Sequence, residues 1–594
     1  MFQTFAAQTS PEQGPPRLMA LRAQMQTAGV DAFIVPRADA HQGEYVAPRD
    51  ARLAWLTGFS GSAGFCVVLP DIAGVFVDGR YRVQVRAEVA DVFTPVHWPE
   101  TQLADWVLTH LPKGAVIGFD PWLHSAQEIA SLTKKLSAYD LRATDNLVDA
   151  IWHDQPSAPS TPFLVQPIEF AGEPHTEKRI RIADTLTADT AVITLPDSIA
   201  WLLNIRGTDI ARNPVPQGFA ILHAAGKVDL FAGPGKADGI REHLGSDVQL
   251  HDVSAFLDSV AQLSGSVQID PKSCPDIVVQ TLIRAGASVQ HCADPCLLPK
   301  AIKNSTEIAG AKAAHHRDGI AMVRFLAWLD AEAPKGALTE IDVVTALEGF
   351  RAQTNALRDI SFETISGAGP NAAIVHYRVN ENTNRTVNPG ELLLVDSGGQ
   401  YVDGTTDITR TIAVGIPTED HRKCYTRVLQ GMIAISCIRF PKGVGGQHLD
   451  ALARAPLWLA GQDYDHGTGH GVGSYLSVHE GPQGISRRSE VALEAGMILS
   501  NEPGYYREGA FGIRIENLIT VITAPALPGA DARDMLGFDT LTYVPLDRRL
   551  IDKSLLTDAE RDWIDQYHAD TVALLASHLD ATTCAWLKAA CAPL

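Results

Sequence analysis

Apolar positions in the first half of the chain come as short runs broken by turn-rich stretches and by segments with helical spacing. A helical stretch from Arg17 to Ala28 is followed by the apolar runs DAFIVP (31–36), LAWLTGFSGSAGFCVVLP (53–70) and GVFVDGRYRVQV (74–85), which together predict an α/β unit. The segment HDQPSAPSTP (153–162) cannot continue a helix or a strand, because its prolines remove amide donors, and it reads as a linker. Beyond it, to about residue 302, the same plan is reused. Ala54-Trp55-Leu56 returns as Ala200-Trp201-Leu202, followed by NIRGTDIARNPV and the strand-like GFAILHA. A divergent duplication accounts for this, and chance similarity between two ordinary αβ units is the alternative.

The pattern then changes. Asn304 can cap the amides of a new helix while Glu307 reaches back, and apolar spacing continues through Met322, Phe325, Leu326 and Leu329. A second helix is predicted near Thr339-Glu340-Ile341-Asp342, then strands at ELLLVD (391–396), ITRTIAV (408–414), MILSNE (497–502) and IRIENLITV (513–521). Thr557 and Glu560 form another capping box before a last helix carrying Trp563, Ile564, Tyr567, Val572 and Leu575. The final third is therefore an α+β core closed by a C-terminal helix. The first sixteen residues, polar and rich in Pro and Gln, are expected to be a frayed leader.

Composition narrows the function classes. Apolar residues make up 45% of the 594 positions and charged residues 20%, an ordinary globular balance. The 49 Lys and Arg against 69 Asp and Glu give a net charge of −20, which opposes broad contact with nucleic acid or anionic lipid, so neither is expected as a partner. The eight cysteines are irregularly spaced beside apolar neighbours and read as reduced, buried thiols; Cys292 and Cys296 have no second pair to complete a zinc site. Without a basic n-region followed by an apolar h-region, or a long uninterrupted apolar stretch, a cytoplasmic protein is expected.

Candidate chemistry lies in the last third. Asp396 ends an apolar strand and Asp407 opens the next, so a hairpin would bring both carboxylates to one end of adjacent strands. Two anions that close repel unless they share a proton or a cation lies between them; a surface Asp pair is the bland reading. HGTGHGVG (466–473) places His466 and His470 four apart in a segment too rich in glycine for a helix interior. Glu502 ends the strand MILSNE, and Glu516 lies in GIRIENLITV, where period two puts it on one face with Arg514. Arg514 alone could neutralise it. Taken together, four carboxylates and one imidazole at strand ends are what two divalent cations require. Oxygen-rich ligation suits Mn²⁺ or Co²⁺ better than a thiolate-bearing zinc site, although Zn²⁺ is compatible.

These residues carry a resemblance. The order Asp396, Asp407, His470, Glu502, Glu516 is similar to the five-ligand dinuclear site of the pita-bread metallopeptidases. Over essentially the whole chain the sequence resembles the three-domain cytosolic type of the Xaa-Pro aminopeptidase (aminopeptidase P) family, through DAHQGEY (39–45), GFSGSAG (58–64), DGRY (78–81), IAWLLNIRGTDI (199–210), GPNAAIVHY (369–377), TDITRTI (406–412), HGTGHGVGSYLSVHEGP (466–482), NEPGYY (501–506) and FGIRIEN (511–517). The resemblance implies an α/β and α+β multidomain chain: a leader (1–16), two creatinase-N-terminal-like αβ domains (17–157 and 158–302) and a pita-bread α+β catalytic domain (303–594) with a C-terminal extension from about 535. It implies removal of the first residue from peptides with proline second, by attack of a metal-bridging hydroxide on the scissile carbonyl.

The same resemblance supplies roles. Two divalent ions, Mn²⁺ being the expected one, would be held by Asp396, Asp407, His470, Glu502 and Glu516, with Glu502 also moving a proton. His376 and His479 would act on the substrate in the cleft, His466 would shape the proline pocket, Tyr506 and Arg514 would orient ligands or touch substrate, and Arg80 could reach the far end of a peptide. A homodimer through the catalytic domain is implied. Arg378 and Val379 depart from the pattern, standing where some relatives carry a proline. His315 and His316, adjacent on a helix, are expected to be solvated. A prolidase limited to dipeptides and a catalytically silent peptide-binding scaffold are the competing readings.

Overall fold

A computed structural model describes residues 1–594. It divides into two compact units, Gln8–Leu297 and a second formed by Leu298–Leu594 with Met1–Ala7.

In Gln8–Leu297 the predicted apolar runs become two six-stranded sheets. The first contains, in chain order, Ala32–Pro36, Phe65–Val68, Ala73–Val77, Thr94–His97, Val116–Phe119 and Asp140–Ala143. The second contains Thr190–Ile193, Phe219–His223, Val228–Ala232, Val248–Asp252, Ser266–Ile269 and Ser288–His291. Both run fourth, third, second, first, fifth, sixth across the sheet. Both also share the same senses: the first three strands pair antiparallel, and the other three pairings are parallel. The duplication glimpsed in two tripeptides is thus a duplication of topology, and each tripeptide sits on a short helix, Arg52–Thr57 or Pro196–Leu203. The parallel strands are covered on both faces, as such pairings require: Phe33 and Val35 face one apolar cluster, Ala32 and Ile34 the other.

The second unit starts where the capping arithmetic places it. Asn304 accepts from the amides of Thr306 and Glu307, Glu307 returns the bond, and the helix runs from Ser305 to Glu332. Its face of Met322, Phe325, Leu326 and Leu329 packs against Leu393, Val395, Ile408 and Ile412. Those strands belong to an antiparallel sheet of Ile365–Ala368, Leu392–Ser397 and Ile408–Ala413. A four-stranded sheet contains Ile498–Asn501, Asn517–Thr523 and Met535–Thr540, and the helices Glu419–Cys437 and Gln447–Trp458 follow the first sheet in sequence. Thr557 caps the helix Asp558–Leu575 as predicted.

Four expectations are corrected. The leader is not frayed: Gln3 is 1% exposed and hydrogen-bonded to Thr364. IRIENLITV is not one strand but two, Phe511–Arg514 and Asn517–Thr523, because the chain changes partners between them: the first pairs with Gly504–Arg507 and the second with Ile498–Asn501. His315 is buried, its Nδ1–H donating to the Ala311 carbonyl at 2.7 Å, and burial lowers its pKa toward the neutral ring. The eight thiols are all free, and Cys437 is exposed rather than buried.

Arg410 laces this unit together. Its buried guanidinium donates to the carbonyls of Glu516 (2.6 Å), Thr409 (2.9 Å), Val544 (2.8 Å) and Pro545 (3.1 Å), to Asn517 Oδ1 (2.8 Å) and to the Tyr567 hydroxyl (3.0 Å). One side chain thereby ties the strand Ile408–Ala413 to the Glu516 turn and to the C-terminal helix. Replacing Arg410 with Met keeps the apolar stem but leaves several buried acceptors without donors, each costing about 1–3 kcal/mol. Urea unfolding of Arg410→Met is expected to show a loss of about 3 kcal/mol or more; a loss below about 1 kcal/mol would contradict this role.

Candidate metal centre

The antiparallel register sets Asp396 opposite Thr409 and Ser397 opposite Ile408, so Asp396 and Asp407 lie at the same end of their strands, as the hairpin arithmetic requires. The intervening residues form a small hairpin of their own, Gly399–Tyr401 with Gly404–Thr405. Glu502 follows the strand Ile498–Asn501, and its amide donates to the Thr468 carbonyl at 2.8 Å. Glu516 occupies the break between two strands; its amide donates to Thr409 O at 3.1 Å, which aims the turn at the Asp396–Asp407 end of the sheet.

His470 arrives on the short strand Gly469–His470. A Cβ on Gly469 would lie 2.0 Å from the Ser500 carbonyl, and one on Gly471 would lie 2.1 Å from the Glu480 carbonyl. Only glycine permits that approach, which is why the imidazole reaches the carboxylates from a segment so rich in it. His470 Nδ1–H donates to Gly471 O at 2.9 Å, leaving Nε2 to face Asp407 and Glu502, each at 3.5 Å.

Three of the four carboxylates are tied down at one oxygen. Arg514 Nη2 donates to Asp396 Oδ2 at 2.6 Å, the Thr409 hydroxyl to Glu516 Oε2 at 2.7 Å, and the Ser500 hydroxyl to Glu502 Oε1 at 3.1 Å. The remaining oxygens, Asp396 Oδ1, Asp407 Oδ1 and Glu516 Oε1, are buried without a hydrogen-bond partner. Asp396, Asp407 and Glu516 are 7%, 3% and 1% exposed. Donor atoms of Asp407, His470 and Glu516 lie within 4.8 Å of one another, forming the tightest part of the group.

The electrostatics follow. Burial, reinforced by the Asp396 and Glu502 charges, pushes Asp407 up to about 6 against the pull of His470. Burial, then Asp407, Glu502 and Asp396, holds Glu516 well above the carboxylate range. For His470 burial acts downward, but the bond to Asp407 and the Glu502 and Asp407 charges outweigh it and raise the ring to about 9. Buried acids with bare oxygens beside one imidazole need protons or cations. Oxygen-rich donors with a single nitrogen fit hard or borderline dications, so the residues present fit the metal pair that the sequence implied.

The other predicted residues fall in two groups. Tyr506 receives a hydrogen bond from Arg514 Nη1 at 2.6 Å and lies 2.9 Å from His466 Nε2, so Arg514, Tyr506 and His466 form one chain leading from Asp396. The His479 ring packs edge-on against His470, with centroids 4.3 Å apart. His376 is half-buried, three residues past the turn Gly369–Ala373. Arg80 belongs to the Gln8–Leu297 unit, where Asp78 grips its guanidinium (2.7 Å) above the Tyr81 ring.

Sequence reasoning missed the braces. Lys300 and Lys303, both buried, form ion pairs with the two oxygens of Glu480, the residue after His479. Arg454 donates to Asp450 (2.7 Å), to the Tyr464 carbonyl (2.7 Å) and to the His466 carbonyl (2.6 Å), fixing the HGTGH loop. The Asp450/Arg454 spacing of four on a helix was a readable signal. The Lys–Glu480 pairing, across 177 positions, left none.

Residues 309–523 match metallopeptidase family M24 and 534–594 match the C-terminal region of that family. Residues 17–151 and 154–307 match two creatinase/prolidase N-terminal domains. A probable Xaa-Pro aminopeptidase P from Paracoccidioides brasiliensis is 40% identical, the match spanning 97% of this chain and 99% of that one. Another from Laccaria bicolor is 38% identical over 97% and 93%. The crystal structure of an X-prolyl aminopeptidase from Caenorhabditis elegans, described as a cytosolic enzyme with a di-nuclear active site, superposes with a TM-score of 0.93 at 33% identity, covering 98% of this chain and 99% of that one. The chain belongs to the Xaa-Pro aminopeptidase P family of the M24 metallopeptidases.

Proposed function

We propose that this enzyme removes the N-terminal residue from peptides whose second residue is proline, using two divalent ions held by Asp396, Asp407, His470, Glu502 and Glu516. The observation that carries the reading is the set of bare buried oxygens on Asp396, Asp407 and Glu516 around His470. When bound, two such ions supply a nucleophile from water at neutral pH and polarise the scissile carbonyl. Mn²⁺ is the proposed pair, with Co²⁺ or Zn²⁺ tolerated by the same donors.

The chain's own groups do the rest. Glu502 Oε1, oriented by the Ser500 hydroxyl, takes the proton of the attacking water and returns it to the leaving nitrogen. His479, edge-on against His470, and His376 donate to the substrate carbonyls where negative charge develops. Arg514 fixes Asp396 and Tyr506, and Tyr506 with His466 walls a flat pocket for the pyrrolidine ring. The bond before proline is a tertiary amide without N–H, so a pocket demanding no donor accepts what other peptidases refuse. Arg80 is proposed to contact the far end of longer peptides. A homodimer paired through the catalytic unit belongs to the same proposal, as does a cytoplasmic location, which the relative described as cytosolic supports; no helix is long and apolar enough to cross a membrane.

Substrate class is tested by comparing an Arg-Pro-Pro peptide with its Arg-Ala-Pro counterpart in the presence of Mn²⁺. Release of arginine from the first at a rate at least about a hundredfold higher is expected; equal rates would defeat the proline assignment, and preference for an Xaa-Pro dipeptide over the tripeptide would favour a prolidase. Asp407→Asn deletes one ligand charge and should lower kcat/KM by about a thousandfold with an unchanged circular dichroism spectrum; wild-type turnover would refute the site.

Metal affinity should depend on pH with a definite sign. The raised acids, Asp407 near 6 and Glu516 above the carboxylate range, hold protons in the metal-free protein that binding must expel. The apparent Kd for Mn²⁺, measured by titration of chelator-treated protein, is therefore expected to weaken by about tenfold or more from pH 7.5 to 5.5. A pH-independent Kd would contradict the assignment.

A further inference from the structure

Met1–Ala7, the first part of the leader that composition marks as frayed, is extended across the catalytic unit with alternate side chains facing inward. Gln3 is buried and Phe5 half-buried, while Phe2, Thr4, Ala6 and Ala7 are exposed. Gln3 imitates a strand with its side-chain amide. Its Oε1 accepts from the Thr364 amide at 2.8 Å, and its Nε2 donates to the Thr364 carbonyl at 3.2 Å. The amides of Phe2 and Gln3 donate to the buried Glu348 carboxylate at 2.5 and 3.2 Å. Farther along, the Glu381 amide donates to Phe5 O at 2.8 Å and Arg378 Nη2 to Thr4 O at 3.3 Å, while Arg378 Nε lies 3.6 Å from Glu363. The Phe5 ring joins the cluster of Val344, Ile365, Tyr377, Val379 and Leu394.

These contacts fall on both ends of one stretch, 363–381, and His376 lies inside it. The middle of the stretch is fixed from within, because a Cβ on Gly512 would lie 1.8 Å from the Ala372 carbonyl, so the turn Gly369–Ala373 is pressed onto the strand carrying Arg514. Ile365, the residue after Thr364, pairs with Asp396. The outer limb, 376–381, is anchored from within at Tyr377, whose hydroxyl donates to Glu340 at 2.9 Å, and is held from outside by the leader at Arg378 and Glu381. Two oddities of the sequence thereby explain each other: Arg378 supplies a donor that a proline there could not, and its acceptor is the backbone of the leader.

We infer that Met1–Ala7 is a strap that positions His376 at the edge of the substrate cleft, with Gln3 and Phe5 as its anchors and Arg378 as its receptor. Gln3 and Phe5 are positioning residues, acting through the 376–381 limb, and the inference rests on the peptidase reading for its effect on turnover. The test is a double-mutant cycle in the full chain. Gln3→Ala/Phe5→Ala should lower kcat/KM for an Arg-Pro-Pro peptide about tenfold in the otherwise wild-type protein and less than about twofold in a His376→Ala background. Backbone hydrogen exchange, read on the same protein without substrate, should show loss of protection over 376–381 and none over 392–397 or 408–413. Equal losses of activity in both backgrounds, activity within about twofold of wild type, or unchanged exchange over 376–381 would each overturn the strap. Should the wild-type chain fail to cleave the peptide, the peptidase reading falls, and the exchange measurement still decides whether the leader holds the limb.

Discussion

Acidic side chains buried side by side are tolerable only if something neutralises them, and the catalytic unit is organised around that constraint. An unpaired buried charge costs several kcal/mol, whereas one hydrogen bond to a charged group returns about 1.5–3 kcal/mol. Arg514, Thr409 and Ser500 each satisfy one oxygen of Asp396, Glu516 and Glu502, and the opposite oxygens of Asp396 and Glu516 are left bare. A fully hydrogen-bonded set would be comfortable as anions and useless as ligands. The protein orients its carboxylates with single donors and leaves their neutralisation to cations or protons.

The fold delivers these groups by ending strands at one place. Asp396 and Asp407 come from two antiparallel strands, Glu502 from the end of a third, and Glu516 from the point where the chain leaves one strand pair for another. That partner change needs a fixed point, and Arg410 provides it by holding the Glu516 carbonyl together with Val544, Pro545 and the C-terminal helix. Packing and chemistry thus share residues, and the C-terminal helix acts on the site without touching it.

What the sequence made legible was local. The capping boxes at Asn304 and Thr557 depend on residues three apart, and both are present; Thr339, read only as a helix start, caps its helix in the same way. The Asp396–Asp407 pair was readable because a hairpin of that length has few conformations. The break in IRIENLITV was not, since nothing in nine residues of alternating pattern says that the partner strand changes halfway. Nor were the Lys300 and Lys303 braces on Glu480, or the leader: Gln3 finds its partner 361 positions away, and composition registers a polar side chain as solvent-seeking when its amide can replace a backbone pair. His315 misled for the opposite reason, as a local carbonyl lets an imidazole be buried neutral.

The most direct test of the central claim is an anomalous difference map from crystals of the Mn²⁺-loaded protein. The account predicts two peaks about 3.5–4 Å apart, both within bonding reach of Asp407 or Glu516, with the now bare oxygens of Asp396, Asp407 and Glu516 turned onto them. A map without density among those side chains, in protein that retains its fold, would mean that protons alone neutralise the cluster and would contradict the account.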